Sequence, residues 1–514
     1  MTDKMYPNDE LRTDKNKYSV QSRLFGHRIK PQQTRYEYLV EFLQVAIAKK
    51  RIMDVTGENK ITDYFPVSKD IENHAIEYMP VSNMGLKRFI FFNNSRLDTK
   101  SDIDKKAYQL CLETIGNSLD KDNSLESEKY VIYILENILY AFSIENAGRS
   151  WFNKNLLPIC PEVIFPESLA RKDYRKNNID LHSQEVDSSF DFNSYTYMAR
   201  GGEVYYLHLL HAVNNGGLEY KERLEKQIGK MLDSMPEISE ISRFIQNEWQ
   251  KGLDVSDSNT PVVKKKCGAI PVEYGYRDEY TLSEVTTFMD NHIQPMEKIN
   301  LFSCGIVLQI FRLMTTTAAK GSHTAGSAWV MDVCDKNKKE YAEVKKLSSR
   351  CFLMNEECII KYIDMGIEYH CTKPQDREKI PKIREDAEKD TTKVIRKLGK
   401  SMGIIIPLSG ANMRFTLSED VIKFLVMSLI PAGSKVTFDR FLDLIYEHFE
   451  IVVSPEHYER AVSENKAVYQ KNVTFLQTNK IDFAQKLKNC GLLRDLSDAT
   501  AIVENPYERE EYEN

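Results

Sequence analysis

The run INLFSCGIVLQIFRLM, residues 299–314, constrains this chain more than any other segment, because it is apolar around most of a helix and has to be covered by neighbours. Neither it nor any other run reaches the roughly 18 uninterrupted apolar residues of a membrane span. We therefore expect the core helix of a middle domain, and no membrane partner. With 514 residues there is room for two to four such units. Hydrophobic residues at 42% and charged residues at 28% exclude a disordered or collagen-like chain.

Local signals lay out the elements around this run. Thr34-Arg35-Tyr36-Glu37 has the capping-box form, and the helix it opens runs through YLVEFLQVAIAKKR, where Lys49, Lys50 and Arg51 suit the negative end of the helix dipole. The segment KRFIFF, 87–92, reads as a short strand, followed by helices near 102–118 and 126–144. Tyr130, Val131, Ile134, Leu135, Ile138, Leu139 and Phe142 cover most faces of the second of these, which predicts a central helix. Pro158, Pro161 and Pro166 make a rigid connector, and 171–194 is polar enough for a surface loop. Gly201-Gly202 opens a helix carrying His208 and His211 on one face, which we expect as packed or hydrogen-bonded histidines rather than metal ligands. Gly, Pro, Ser, Asp and Asn concentrate between Gly252 and Pro271, so a boundary is expected there, with Lys264, Lys265 and Lys266 solvated. Thr281-Leu282-Ser283-Glu284 repeats the capping-box form, and a mixed-charge helix over 375–400 ends at Gly403.

Beyond Gly403 the order of elements is sharper. A short strand, a helix capped by Ser418, a small strand at Lys435-Val436-Thr437 and a helix capped by Thr437 come first. Helices beginning at Ser454-Pro455 and near Asn479 follow, and LLRDLSDATAIVENPY reads as a hairpin around Ser497-Asp498. This order resembles a winged-helix module with one additional helix. The resemblance implies that the helix before the hairpin presents Gln485, Lys486 and Asn489 to double-stranded DNA, with Arg494 opening the wing. Between Met413 and Pro506, however, 11 basic residues face 13 acidic ones, and the whole chain has 70 basic against 76 acidic side chains, so a protein partner is an equal expectation.

The fold class expected is mainly α, a multidomain helical protein with small β elements and a C-terminal winged-helix-like domain. Its boundaries are a flexible N-terminus at 1–20, an N-terminal helical domain at 21–251 and a linker at 252–271. A middle helical domain at 272–402, the winged-helix-like domain at 403–506 and an acidic tail at 507–514 complete it.

A second constellation carries a possible chemistry. SAWVMDVCDKNKKEYAEVKK reads as a hairpin with strands Trp329 to Val333 and Tyr341 to Lys345. Asp332, Glu343 and Lys345 then resemble the signature of restriction-endonuclease-like nucleases, which implies two carboxylates holding Mg²⁺ and a lysine that helps activate water. A helical reading of KKEYAEVKKL is equally natural. The nine cysteines include no Cys-x-x-Cys pair, which argues against a zinc knuckle or a secreted disulfide scaffold. The polar, acidic start lacks the pattern of a signal peptide, and a cytoplasmic protein is expected.

Several blocks resemble large, mostly helical accessory proteins of prokaryotic anti-phage defence islands. They are LFGHRIKPQQTRYEYLVEFL, WFNKNLLPICPEVIFPE, GGEVYYLHLLHAV and the stretch from GIIIPLSGANMRF to IVENPY. The resemblance implies a non-catalytic adaptor acting beside other protein subunits of the same system, with no cofactor of its own. It transfers no catalytic residue.

Overall fold

The computed structural model describes residues 5–6, 20–28, 30, 32–53, 59–62, 64–69, 71–92, 102–119, 125–145, 148–171, 190–253, 263–334, 341–371, 377–497 and 500–511. Among them are sixteen α-helices and several small sheets, so the chain is mainly helical, as expected. Helix α1 spans Val20–Phe25, α2 Arg35–Ile47, α3 Met84–Phe91, α4 Asp102–Ser118 and α5 Leu125–Tyr140. Next come α6 Gly201–Asn214, α7 Leu218–Leu232, α8 Pro236–Gly252, α9 Asp278–Met289, α10 Pro295–Gly321, α11 Ala342–His370 and α12 Ile380–Ser401. The last four are α13 Glu419–Leu429, α14 Phe438–Phe449, α15 Pro455–Ser463 and α16 Leu476–Asn489. The strands are β1 Met5–Tyr6, β2 Lys49–Met53, β3 Asn59–Thr62, β4 Ala75–Met79, β5 Leu169–Ala170, β6 Phe190–Asp191, β7 Lys265–Lys266, β8 Ile270–Pro271, β9 Trp329–Val330, β10 Ile405–Ile406, β11 Arg414–Phe415, β12 Lys435–Thr437, β13 Ile451–Val452, β14 Leu493–Ser497 and β15 Thr500–Glu504.

Helix α10 contains the apolar run and is the axis of the interior. Every residue from Leu301 to Ala319 is buried. By length and composition it is the one described helix that could cross a membrane, and its apolar window is wholly buried inside the protein. Helices α2, α11 and α13 pack along it. Phe424 of α13 lies on Gly305, where an added Cβ would come within 2.2 Å of the ring. Helix α2 in turn crosses α6 where Gly201 and Gly202 allow backbone approach, since a Cβ on Gly202 would lie 2.0 Å from the Tyr38 carbonyl oxygen. The capping box at Thr34 forms in full: Glu37 Oε2 accepts the Thr34 N–H at 2.8 Å, and the Thr34 hydroxyl accepts the Glu37 N–H. Most buried apolar side chains make one cluster that reaches from Val20 to Val503 across the expected domain boundaries, and a second, smaller cluster gathers Val330, Val344, Leu347, Tyr446, Val452 and Leu476.

Several expectations are corrected by the packing. KRFIFF belongs to α3, a helix whose residues are all buried, because Arg88 is sandwiched between the rings of Trp151 and Trp249 at 4.9 Å from each centroid. A six-residue apolar run suits either a buried strand or a buried helix turn, and here the neighbouring tryptophans decide. Helix α5 is peripheral, not central. It packs against α3 and α4, and leaves Tyr130 and Tyr133 64% and 60% exposed, with Ile134 and Ile138 also open. Lys49–Met53 forms strand β2 rather than the end of α2, although Lys50 still caps that helix by donating to the carbonyls of Ala46 and Ala48. Strand β2 sits in a four-stranded antiparallel sheet of order β3-β2-β4-β7, where β3 is Asn59–Thr62, β4 Ala75–Met79 and β7 Lys265–Lys266. The second half of the expected linker is therefore built in, and Lys265, expected in solvent, is buried. Residues 254–262 of that linker lie outside the described residues. Thr281 falls inside α9, three residues past its start, instead of capping it.

Beyond Gly403 the expected helices and strands form in the expected order, with two further short strands at Arg414–Phe415 and Ile451–Val452 and with α16 starting at Leu476, three residues before the expected Asn479. Strand β12, Lys435–Thr437, pairs antiparallel with β15, Thr500–Glu504, and β15 pairs with β14, Leu493–Ser497, giving the sheet order β12-β15-β14. Ser418, Thr437 and Ser454 cap α13, α14 and α15 by accepting the third backbone N–H of each helix. This region is fastened to the rest of the chain by polar contacts in the interior. Asn505 donates to Asn291 and to the Ile430 carbonyl, both at 2.7 Å, and Ile451–Val452 pairs in parallel with Trp329–Val330. Arg312 of α10 pairs with Glu450.

Candidate functional site

The exposed face of α16 is set by its amphipathic repeat. Phe483 and Leu487 are buried against Phe438 and Phe441, which turns Gln477, Ile481, Gln485 and Asn489 outward at fourfold spacing. Ile481 is 61% exposed. Gln485 donates to Asn489 at 2.9 Å, so the two amides that would read base edges partly satisfy each other. The cations beside them are matched by carboxylates. Lys488 meets Asp495 at 2.6 Å, Arg494 meets Glu504 at 3.3 Å, and Lys480 meets Asp439 at 2.8 Å. Lys486 lies half-buried at the edge of this face. The structure thus brings Gln485 and Asn489 together with Ile481 into a neutral stripe, with Arg494 on the adjacent strand. A neutral stripe with an apolar centre suits a protein surface better than a phosphate backbone, whose binding depends on uncompensated positive charge.

The hairpin expected to bring Asp332, Glu343 and Lys345 together does not form. The expected second strand is the first turn of α11, which projects Glu343 and Lys345 from a helix, and residues 335–340 lie outside the described residues. Glu343 is exposed and pairs with Lys346 along that helix at 2.8 Å. Asp332 is fully buried, accepting from Arg414 Nε at 2.6 Å and from the Cys334 N–H at 3.2 Å. Its carboxylate is consumed in joining the 329–334 segment to Arg414–Phe415. From Ala342 on, the helical reading prevails because Val344, Leu347 and Cys351 recur at helical spacing and all are buried.

His208 and His211 share Asp278. His211 Nδ1 lies 2.7 Å and His208 Nε2 3.4 Å from its carboxylate, while His211 Nε2 meets Glu72 at 2.9 Å. Among the described residues no group of three His, Cys, Asp or Glu is placed to hold a metal ion.

The densest electrostatic feature lies where α2, α6, the connector and β7 meet, and the sequence reading missed it. Glu41 accepts the backbone N–H groups of Arg200 and Gly202 at 2.7 and 2.9 Å. Glu167 accepts those of Thr196, Tyr197 and Met198 at 2.8 to 2.9 Å. Glu203 pairs with Arg200 at 2.8 Å and receives the Tyr78 hydroxyl at 3.1 Å. Between them lies a cavity of about 10 Å³, lined in part by Glu41, Glu167, Arg200, Glu203 and Lys265, with room for one water molecule. Lys265 and nearby Lys87 are buried, and neither ammonium has a hydrogen-bond partner among the described residues. Burial lowers the Lys87 amine to about 7 and the Lys265 amine to about 8. Burial also raises the Glu41 carboxyl to about 7, against the hydrogen bonds from Gly202 and Arg200. Such opposed shifts are a mark of functional sites, but this cavity is too small for a substrate, and its donors are spent on fastening loops. We read it as a structural hub. Its signal in the sequence is the charge that interrupts each apolar run: Glu41 in YLVEFL, Lys87 and Arg88 in GLKRFIFF, and Glu203 in GGEVYYL.

Comparison with family models, curated proteins and solved structures returns no match. The functional argument therefore rests on the geometry.

Proposed function

We propose that this protein is a non-catalytic adaptor whose segment from Gly403 to Pro506 is a winged-helix-type module that engages a protein partner through α16. The observation that carries the reading is the neutral stripe Gln477, Ile481, Gln485 and Asn489, held rigidly outward beside the β12-β15-β14 sheet. The element order supports the winged-helix comparison: helix, strand, helices, then two strands, with the first strand pairing to the last. The resemblance to accessory proteins of anti-phage defence islands supplies the setting, in which the partner is another subunit of the same system and the protein works in the cytoplasm.

The test is affinity purification of the full chain from its native host. The wild type should recover products of neighbouring genes, and Ile481→Glu, which places a charge at the centre of an exposed stripe, should lose them while keeping its fold. A wild-type protein that elutes alone, or a variant that keeps its partner, sinks the reading. Double-stranded DNA is the second reading, motivated by Gln485, Lys486, Asn489 and Arg494. It predicts binding that falls steeply with salt and that Lys486→Glu combined with Arg494→Glu removes.

A further inference from the structure

A groove of about 530 Å³ lies between α7, the α9–α10 connection and residues 507–510. Its apolar wall includes Met231, Ile293, Pro295 and Tyr507. One end is a cationic cradle filled by the chain itself. Glu510 Oε1 lies 3.0 Å from Lys230 Nζ and 3.2 Å from His292 Nδ1, and Oε2 lies 3.1 Å from Lys298 Nζ. The Glu510 side chain is only 9% exposed, whereas Glu508 two residues earlier is open to solvent. Burial by itself would raise the Glu510 carboxyl, but its hydrogen bonds to Lys230 and His292 and the charge of Lys298 outweigh that and hold it below the usual range.

The backbone is recognised as well as the carboxylate. The His292 N–H donates to the Glu508 carbonyl at 2.9 Å, the Glu510 N–H donates to the Asp290 carbonyl at 2.6 Å, and Asn291 and Arg509 form an antiparallel bridge between them. Lys230 also donates to the Glu511 carbonyl. Extended backbone pairing gives general affinity for a strand, and a side-chain cradle at one position gives selectivity, which is the division of labour in peptide recognition by strand addition. The segment that was expected to be a free acidic tail thus behaves, over residues 507–511, as a bound ligand.

We propose that the cradle at the end of this groove, formed by Lys230, His292, Lys298 and the backbone of residues 290–292, is a docking site for an extended acidic peptide, occupied in cis by Tyr507–Glu511 and open to exchange with a carboxylate-bearing segment of another protein. The occupant is defined by the cradle: two ammonium groups and the His292 imidazole converge on one carboxylate, and the strand bearing it pairs with residues 290–292. Because the cis segment is covalently tethered, its effective concentration is on the order of millimolar, so an outside peptide binds weakly until the cis contact is loosened. No residue lining the groove belongs to α16, so either proposal is tested without the other.

The probe is a fluorescein-labelled peptide PYEREEYEN, residues 506–514, titrated against the full chain. Glu510→Gln in the full chain removes the cis carboxylate and should tighten binding of the peptide at least tenfold over wild type. The same protein should discriminate at least tenfold against a peptide carrying Glu510→Gln, and not at all against one carrying Glu508→Gln. A chain ending at Asn505, shown by circular dichroism to be folded, should bind the unaltered peptide at least as tightly. Equal binding by the wild-type and Glu510→Gln proteins, or equal loss with the Glu508→Gln and Glu510→Gln peptides, would overturn the proposal. The second result would mean that bulk charge and not the cradle is being read.

Discussion

Around Arg200, carboxylates and cations from distant parts of the chain share a closed interior, whereas the region after Gly403 keeps a mostly apolar inside, crossed by single polar contacts such as Asn479, Asn505 and Glu450, and trims its rim with paired charges. The difference separates what each part needs to stay folded from what it offers to a partner. In the first region Glu41, Glu167 and Glu203 take backbone N–H groups from connecting segments and from the start of α6, so buried carboxyl groups supply acceptors that secondary structure does not. In the second, helices and a sheet satisfy the backbone, and side chains such as Gln485 and Ile481 are left for recognition.

The largest expected effect comes from breaking the interior network. Glu203→Ala strands the Arg200 guanidinium and the Tyr78 hydroxyl and should cost about 3–5 kcal/mol in urea denaturation. If that cost is no greater than the cost of Arg494→Ala on the rim, the contrast between the regions is false. Lys265→Met should act in the opposite direction and stabilise by about 1–3 kcal/mol, since a buried ammonium that faces the Tyr195 ring at 4.6 Å and has no hydrogen-bond partner among the described residues is replaced by an apolar chain of similar length. Its pH dependence sharpens the point. The folded amine is lowered to about 8 from 10.5, so this group's contribution is favourable above about 10.5 and is lost as pH falls through 8. The gain from Lys265→Met should therefore be greatest below pH 8 and shrink toward pH 10.5.

Glu41 titrates with the reverse sign. Its folded carboxyl is raised to about 7 from 4.5, so its stabilisation is present below 4.5 and lost as pH rises through 7. Glu41→Gln should flatten that part of a stability profile measured from pH 4.5 to 7. Gly202→Ala forces α6 from α2 and should cost about 1–3 kcal/mol, measured by the same denaturation. Arg494→Ala is the smallest change, within about 1 kcal/mol, because its pair with Glu504 is exposed and the guanidinium remains solvated without it.

What was legible in the sequence follows the same division. The caps at Thr34, Ser418, Thr437 and Ser454, the apolar run of α10 and the order of the helices after Gly403 were readable, because each is signalled by residues adjacent in the chain; the short strands Arg414–Phe415 and Ile451–Val452, which pair with distant segments or carry no period, were not. Helix α3 was misread because a short run has no period of its own and its neighbours Trp151 and Trp249 lie far away in sequence, whereas 341–345 was open to both readings and the helical spacing of Val344, Leu347 and Cys351 decides it. Of the outward residues of α16, Gln485 and Asn489 were found from its helical phase and Gln477 and Ile481 were not, while the matching of Arg494 by Glu504 and the burial of Asp332 depend on pairings that phase does not encode. Lys265 was misplaced for a related reason: a basic triplet is normally solvated, and only its pairing opposite Tyr78 in the sheet carries it inside.

The position of α10 also sets an order of events during synthesis. Its partners include Phe424 on α13 and Glu450, which are translated more than a hundred residues after Gly305 and Arg312. At elongation rates of about 5–20 residues per second, the apolar run leaves the ribosome on the order of ten seconds before the surface that covers it exists. A nascent chain halted before residue 419 therefore presents that run to chaperones and to other nascent chains, and a gene shortened to end before residue 419 should yield aggregates rather than a smaller folded protein.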